Sequence, residues 1–491
     1  MTDTTQRWDA RRRITLAAVC AATAMLMLDI AVVNTALPAI SLDFAADLGG
    51  LKWVIDGYTL ALASTVLSAG AWADRVGRRR VFTIGAVVFT ASSVWCASAD
   101  GMLLLNLARV AQGLGASLLF ATSLALLANA FPAGRERATA LAAYGATIGA
   151  AFAVGPLLGG VLTEWLDWRA IFLINVPVGL LMLIGVRWID ESRSASPRRG
   201  DWLGQLTAIV ALAALTDGFF EAAEDGWSAP RTLVVFAVAG IAFVAFLIVE
   251  ASVAEPMLPL GLFATRAFAG AQCATFAISA SMFAVFVYVT LYLQGVLGMS
   301  PIEAGLVYLP GTAVMLIVAG ATDRLMLLVA PRTLITTSLI AVAGGLAWMT
   351  IATVDGSGWN LVPGFLLSCI GAGVFNPVLS AVVLSESGAD DLGLATGVND
   401  VFRQSGIALG VAALGAVFPA QSAFVPDAAQ EFTDALVVAL WISCGVAAVG
   451  ALVAAATLGR AVLGVPPSEE SGRLTRTGSV GALPVVGSPR G

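Results

Sequence analysis

Histidine is absent from this chain of 491 residues, and lysine occurs once, at Lys52. Without histidine, the chain cannot form histidine proton relays, histidine metal sites or hydrolytic sites with a histidine base. The sequence around Lys52 is not the GxxxxGK[ST] loop that binds nucleotide phosphates. We therefore expect no metal, no cofactor, no enzymatic activity and no ATP-driven step within the chain, and nothing indicates nucleic-acid binding.

Charged side chains are scarce as well. They make up 12% of the residues, against 58% hydrophobic residues, and the mean hydropathy is +0.89. A soluble domain carries about 25% charged residues. The composition predicts an all-α polytopic membrane protein. The five cysteines lie in apolar segments and are expected to pack rather than form disulfides.

Apolar runs of the length that a bilayer core requires occur fourteen times. They centre on residues 15–38, 53–73, 80–99, 103–129, 138–162, 169–188, 203–222, 232–250, 267–293, 304–322, 333–352, 360–384, 396–418 and 433–458. Most of the 26 basic residues fall on one side if both termini are cytoplasmic, whereas Lys52, Arg169 and Arg231 fall outside. The positive-inside rule then predicts a plasma-membrane protein with both termini in the cytoplasm.

The chain divides most naturally as six, two and six helices. The polar segment 190–201 contains a proline and follows the sixth run. We predict a first six-helix bundle at 1–189, a loop with two linker helices at 190–265, a second bundle at 266–460 and a disordered cytoplasmic tail at 461–491.

Small residues dominate the stretch from Gly145 to Gly160. Gly145, Gly149 and Ala153 are four residues apart, so they share one helix face that another backbone can approach closely. Gly155-Pro156 then interrupts the helix, because proline removes a hydrogen bond. A tightly packed, bent helix and a moving interface are equally good interpretations of this pattern.

Three ionisable residues lie inside the first, second and fourth runs: Asp29, Asp56 and Arg109. A charged residue at mid-membrane costs roughly 3 kcal/mol on insertion scales, so each should face the bundle interior. Counted along the helices, all three lie in the outer half of the membrane. They can form one cluster in which Arg109 neutralises one acid at a time; a static ion pair plus one shallow acid is the alternative.

Two further charged groups need an explanation. In the segment Gly70–Arg80, positive-inside arginines around a turn explain the basic residues but not Asp74. In the thirteenth run, Asp400 and Arg403 are three residues apart and can pair with each other, so a structural role is as good an interpretation as a functional one.

These motifs resemble those of one family. Gly149, Gly155, Pro156, Gly159 and Gly160 match the antiporter motif of drug exporters in the major facilitator superfamily. Residues 28–38 and 53–58 resemble the fourteen-helix drug–proton antiporters of the QacA and EmrB type. Residues 70–80 resemble the superfamily's loop signature, and residues 106–115 its proton-transfer motif. The resemblance covers about 15–458.

The resemblance implies the major facilitator fold, with two six-helix bundles and two extra linker helices. It implies a monomeric antiporter that exchanges protons for small hydrophobic molecules. Asp29, Asp56 and Arg109 would couple protons to substrate, together with Asp400 and Arg403. A conformational latch would comprise Gly70, Asp74, Arg75, Gly77, Arg78 and Arg79.

The proton supply favours cationic cargo. A charge that crosses 100 mV yields about 2.3 kcal/mol, and a pH unit yields about 1.4 kcal/mol. Because a cation exchanged for one proton moves no net charge, its effective export needs two protons and hence two acids. The alternatives are a dedicated exporter of one metabolite or natural product, and an uncoupled membrane sensor or channel.

Overall fold

Fourteen long helices make up the computed structural model, which describes residues 8–132, 135–194, 200–386, 392–419 and 428–459. The described ranges contain no strand. In chain order the helices are α1 (Ala10–Phe44), α2 (Leu48–Val76), α3 (Arg78–Ala97), α4 (Met102–Ala130), α5 (Arg135–Trp165), α6 (Ala170–Trp188), α7 (Trp202–Glu224), α8 (Pro230–Ser252), α9 (Arg266–Val296), α10 (Pro301–Met326), α11 (Pro331–Met349), α12 (Val362–Glu386), α13 (Leu392–Gly415) and α14 (Ala429–Thr457). The predicted tail, 461–491, lies outside the described residues.

Thirteen of the described helices are long and apolar enough to cross a membrane. The remaining one, α13, has 24 residues, which also suffices to span a bilayer core of about 30 Å. It falls outside the thirteen because Asn399, Asp400, Arg403 and Gln404 lower its hydropathy. The all-α polytopic fold predicted from the sequence is confirmed.

Local signals in the sequence start several helices. Asp9 caps α1, and its carboxylate accepts a hydrogen bond from the Arg12 N–H at 3.1 Å, which lowers the pKa of Asp9. Ser300 and Glu303 form a capping box at the start of α10. Proline occupies the first turn of α8, α10 and α11, where its missing N–H is not needed.

Two helices are irregular, whereas a third is more regular than predicted. The α9 helix contains π-helical turns at Ser279–Phe283 and Tyr292–Val296, a feature that often marks functional sites. The α6 helix is divided between Leu173 and Asn175. The predicted interruption at Gly155-Pro156 is wrong, because α5 continues through Pro156. Proline removes only one hydrogen bond of the helix, and the turns on either side remain paired.

The first six and last six helices meet along two pairs, α2 with α13 and α5 with α10. The linker helices α7 and α8 pack on each other, and α7 also contacts α2 and α13. The α8 helix leaves many large apolar side chains exposed, including Ile241 and Ile248. Such a surface suits contact with lipid, so α8 lies at the edge of the assembly.

The polar contacts that join α1 to α9 and α5 to α10 lie at one end, although α2 and α13 also touch further along, where a Cβ on Gly397 would lie 2.8 Å from Leu67. We call the end where α1 begins the inner side, which the sequence predicts to be cytoplasmic, and the opposite end the outer side. On the outer side, Gln294 Nε2 donates to the Thr35 carbonyl oxygen at 3.0 Å, and the Ile302 N–H donates to Glu164 Oε2 at 3.0 Å. Toward the inner side of α5, no neighbouring heavy atom lies within 4 Å of a Cβ placed on Gly145. At this position α5 is therefore separated from the opposite set, whereas α2 and α13 remain in contact.

Candidate functional site

A cavity that is open to solvent lies between the two sets of six helices; its empty space, with the solvent at its mouth included, is about 760 Å³. Helices α1, α2, α4 and α5 form one wall, and α9, α10, α12 and α13 form the other. Five aromatic rings line it, from Tyr58, Phe152, Phe283, Phe286 and Phe365. Phe283 closes the first π-helical turn of α9, which therefore shapes the cavity wall. The lining therefore suits an apolar molecule with aromatic rings.

Arg109 is the charged residue in this wall, and no Asp or Glu side chain lines the cavity among the described residues. Its Nη1 donates to Asp29 Oδ2 at 2.5 Å, and its Nε donates to the Val54 carbonyl oxygen at 2.8 Å. The guanidinium carbon lies 4.5 Å from the centre of the Tyr58 ring. The arginine thus joins α1, α2 and α4 through contacts that are both ionic and aromatic.

Asp29 lies behind Arg109 and is buried. Besides the arginine, its Oδ1 accepts hydrogen bonds from Gln112 Nε2 at 2.8 Å and from Asn175 Nδ2 at 3.3 Å. Gln112 also accepts a bond from Arg109 at 2.7 Å, which closes a small network. The carboxylate is therefore fully bonded in its charged form. A proton on Asp29 would remove the charge that holds Arg109 in place.

Asp56 does not join this network. Its side chain is fully buried, and neither carboxylate oxygen has a hydrogen-bond partner in the part of the chain that the structure describes. The structure thus brings together two of the three residues predicted to cluster, Asp29 and Arg109. The remaining acid, Asp56, is buried although it lies within the first three turns of α2, near the outer end.

Asp400 is buried too, and among the described residues its carboxylate oxygens have no hydrogen-bond partner. The Arg403 side chain is partly exposed. The hydrogen-bonded pair that the spacing of three residues allows is therefore not formed. Asp400 is a third buried acid, on the helix set opposite to Asp29.

The predicted latch is organised by a residue that the sequence did not indicate. Arg78 donates to Asp74 at 2.8 Å, one turn apart. Glu191 Oε1 accepts from the Arg79 N–H at 3.0 Å, at the start of α3. Gly77 has a φ of 126°, and a Cβ there would lie 2.7 Å from the Glu191 carboxylate. A glycine is required at this position both for the backbone and for the approach of Glu191.

The other latch residues lie at the edge of this cluster. Arg75 is exposed, and no neighbouring heavy atom lies within 4 Å of a Cβ placed on Gly70. No sequence signal could have indicated Glu191, which is separated from Arg79 by 112 residues.

The glycines of the antiporter motif face two different helices. A Cβ on Gly159 would lie 2.9 Å from Val32 of α1, and one on Gly155 would overlap Ala31 of the same helix. A Cβ on Gly160 would instead lie 2.8 Å from the Pro301 carbonyl carbon of α10. Gly149 also faces α10, where its Cβ would lie 3.1 Å from Leu316. The motif thus packs α5 within its own set and against the opposite set at once.

The fold and the cavity define a polytopic membrane transporter rather than an enzyme: two sets of six helices surround a site that is closed at one end. A family model described as the Major Facilitator Superfamily matches residues 19–411. The chain belongs to the Major Facilitator Superfamily, and the family predicted from its motifs is confirmed.

Several curated relatives are similar over most of the chain. The multidrug resistance protein Stp of Mycobacterium tuberculosis is 34% identical over 397 residues, which cover 81% of this chain and 74% of the relative. The puromycin resistance protein pur8 of Streptomyces alboniger is 35% identical over 425 residues, covering 85% and 84%. The solved structure of the peptide transporter POT in complex with sulfate has a TM-score of 0.63 at 15% identity, covering 90% and 94%, which shows the shared fold alone.

Proposed function

We propose that this chain is a proton-coupled secondary active exporter of hydrophobic small molecules that works by alternating access. The observation that carries this proposal is Arg109, which lines the aromatic cavity while its charge is balanced by Asp29 behind the wall. A protonation event at Asp29 would then be felt at the cavity surface.

In the proposed exchange of protons for cargo, the same site alternates between a charged and a protonated state of Asp29. With Asp29 charged, Arg109 is held back by the 2.5 Å contact and the cavity can accept cargo between its aromatic rings. With Asp29 protonated, Arg109 loses its counter-charge and turns to other acceptors. Asp56 and Asp400 are two more buried acids in the proposed coupling set, which also includes Arg403.

The proposed direction is outward. We take the inner side as cytoplasmic by the positive-inside rule, and the open space beside Gly145 of α5 supports access to the cavity from that side. Relatives named for resistance to drugs support export rather than uptake. We propose that the protein acts as a monomer in the plasma membrane, with 1–189 and 266–460 rocking against each other and 190–265 as the linker.

The charge of the cargo is part of the proposal. The aromatic rings can hold a cation through cation–π contacts, and they can equally stack on a neutral ring. The two acids Asp29 and Asp56 favour cationic cargo, because two protons can drive one cation against the membrane potential.

Uptake of ethidium into everted vesicles tests the function. A proton gradient, acid inside, should drive uptake, and a protonophore should abolish it. We expect Asp29→Asn to lose uptake, whereas Asp190→Asn should retain it, because Asp190 is an exposed acid in a surface pair with Arg11.

A neutral aromatic dye is run in parallel as a second cargo. Uptake of either dye that survives the protonophore, or that is unaffected in Asp29→Asn, contradicts proton coupling through Asp29. If the folded wild type transports neither dye, the proposed export of hydrophobic molecules is contradicted.

A further inference from the structure

Lys52, the one lysine of the chain, is not in an outer loop as its place at the end of a predicted span suggests. It lies in the first turns of α2 and is buried. Its ammonium donates to the Gly415 carbonyl oxygen of α13 at 3.1 Å. The bond therefore connects the first set of helices to the last set, on the outer side.

The residues around the Lys52 ammonium leave room for it and offer it a second contact. A Cβ on Gly415 would lie 2.6 Å from Lys52 Nζ, so a larger residue would exclude the amine. The Phe220 ring of α7 lies 5.3 Å from the ammonium and offers a cation–π contact. Beside it, the Tyr288 hydroxyl donates to the Val411 carbonyl oxygen of α13 at 2.5 Å.

Asp56 lies one helical turn further along α2, on the same face as Lys52. Its two oxygens have no hydrogen-bond partner among the described residues, and Lys52 is the charged group that acts on them. An uncompensated carboxylate is costly to bury, so this arrangement suits the protonated acid. A charged Asp56 would offer the ammonium a stronger partner than a neutral carbonyl.

We propose that Lys52 is a positioning residue that ties the outer side shut and is released by Asp56. While Asp56 carries a proton, the ammonium stays on the Gly415 carbonyl and the outer side is closed. When the proton leaves, the carboxylate draws the ammonium back onto α2 and the contact to α13 is lost. This inference rests on the proposed proton coupling, and it places one coupling step at the gate itself.

Other charged groups surround this pair. Near Lys52 are Asp47 at the start of α2 and Glu224 at the end of α7. Tyr288 of α9 faces Asp56. On α4, Arg109 is engaged by Asp29, and on α7, Glu221 is paired with Arg231 at 2.6 Å. Asp400 and Arg403 precede Gly415 in α13 and lie nearer the inner side.

The gate can be followed without any cargo. Spin labels at Leu42→Cys and Asp355→Cys, both exposed on the outer side and in opposite helix sets, report the distance across the gate. The five native cysteines are first replaced, and dye transport is checked in that background. In lipid nanodiscs we expect the wild type to gain a longer-distance population as the pH rises from mildly acidic to mildly alkaline.

Three variants separate a coupling role from a merely structural one. Asp56→Asn, which mimics the protonated acid, should stay at the short distance at every pH. Lys52→Met should favour the long distance and lose the pH response, and Lys52→Arg should restore it. A wild-type pH response in either Lys52→Met or Asp56→Asn overturns the proposal, as does a wild type without a response.

The gate test and the transport test can fail independently of each other. If dye uptake fails but the pH-dependent distance change needs Lys52 and Asp56, the gate proposal stands and the cargo proposal falls. If uptake is proton-coupled but the distance change does not depend on Lys52 or Asp56, the cargo proposal stands and the gate proposal falls. Lys52→Arg guards against misfolding, because it keeps the charge on a long side chain of similar size.

Discussion

Two buried acids near the start of the chain differ in what surrounds them. Asp29 is bonded to Arg109, Gln112 and Asn175, whereas Asp56 has no bonded partner within the described residues. Loss of the charge therefore has opposite consequences at the two positions. At Asp29 it leaves a buried guanidinium unbalanced, while at Asp56 it breaks no hydrogen bond among the described residues.

This difference predicts the stability of two matched variants. Removal of one partner from a buried ion pair costs about 3–5 kcal/mol, so Asp29→Asn should unfold at clearly lower temperature in detergent. Asp56→Asn changes the same chemical group at a similarly buried position and should unfold at the wild-type temperature or above it. Asp29→Asn combined with Arg109→Gln should regain part of the loss but not the transport. Equal destabilisation by the two single variants would contradict this account.

Sequence reasoning located the buried acids but not their partners. An aspartate in an apolar run is visible by itself, because its cost in lipid demands an explanation. The pairing of Asp29 with Arg109 spans 80 residues, and it was anticipated only as one of two possible partnerships. Lys52 was misplaced because a lysine at the end of an apolar run looks like a loop residue, and its acceptor lies 363 residues away.

Among the helices, α5 shows how one element serves two interfaces. Gly155 and Gly159 face α1 of the same set, whereas Gly160 faces Pro301 of the opposite set. Gly145, on the same helix, meets no neighbouring heavy atom within 4 Å of a Cβ position. The sequence allowed either a packed helix or a moving interface, and the contacts show that α5 lies at an interface as well as within a bundle.

Three glycine-to-alanine variants of α5 separate these roles. Overpacking costs about 1–3 kcal/mol. In Gly159→Ala the cost falls within one helix set and should lower the unfolding temperature in every state. In Gly160→Ala it falls between the sets, so it should push the outer side open and reduce dye uptake with little loss of stability. Gly145→Ala adds a methyl group where no neighbouring heavy atom lies within 4 Å in this state, so it should leave the outer side closed; identical behaviour of all three would rule this division out.

Helix positions were predictable because about twenty apolar residues in a row have few alternatives to crossing a bilayer. The same reasoning is weakest at α13, where polar residues face the interior and lower the hydropathy. It could not foresee the π-helical turns of α9, which depend on local packing and carry cavity residues such as Phe283.

For the whole molecule, the outer contacts and the open space beside Gly145 fit one state of the proposed alternating-access cycle. Within the described ranges, the outer side is held by few polar contacts, including Lys52 to Gly415 and Gln294 to Thr35. A small number of bonds can be exchanged without unfolding either helix set. The central cavity lies between the sets, so rocking would change the side from which it is reached.

The charge that crosses the membrane in each cycle gives the last prediction. If Asp29 and Asp56 each carry one proton inward, export of a neutral molecule moves two charges and export of a monovalent cation moves one. Each charge contributes about 2.3 kcal/mol per 100 mV. Transport into proteoliposomes under a potassium diffusion potential, set with valinomycin at equal pH on both sides, should thus depend on voltage for both cargoes.

The dependence should be about twice as steep for the neutral dye as for ethidium, since the energy scales with the number of charges moved. Empty liposomes under the same potential correct for passive movement of the cationic dye. Ethidium transport that ignores the potential would mean a single proton per cation, and only one of the two acids would then carry a proton through the cycle. A neutral dye that ignores the potential would remove proton coupling altogether, because no exchange of a proton for an uncharged molecule is electrically silent.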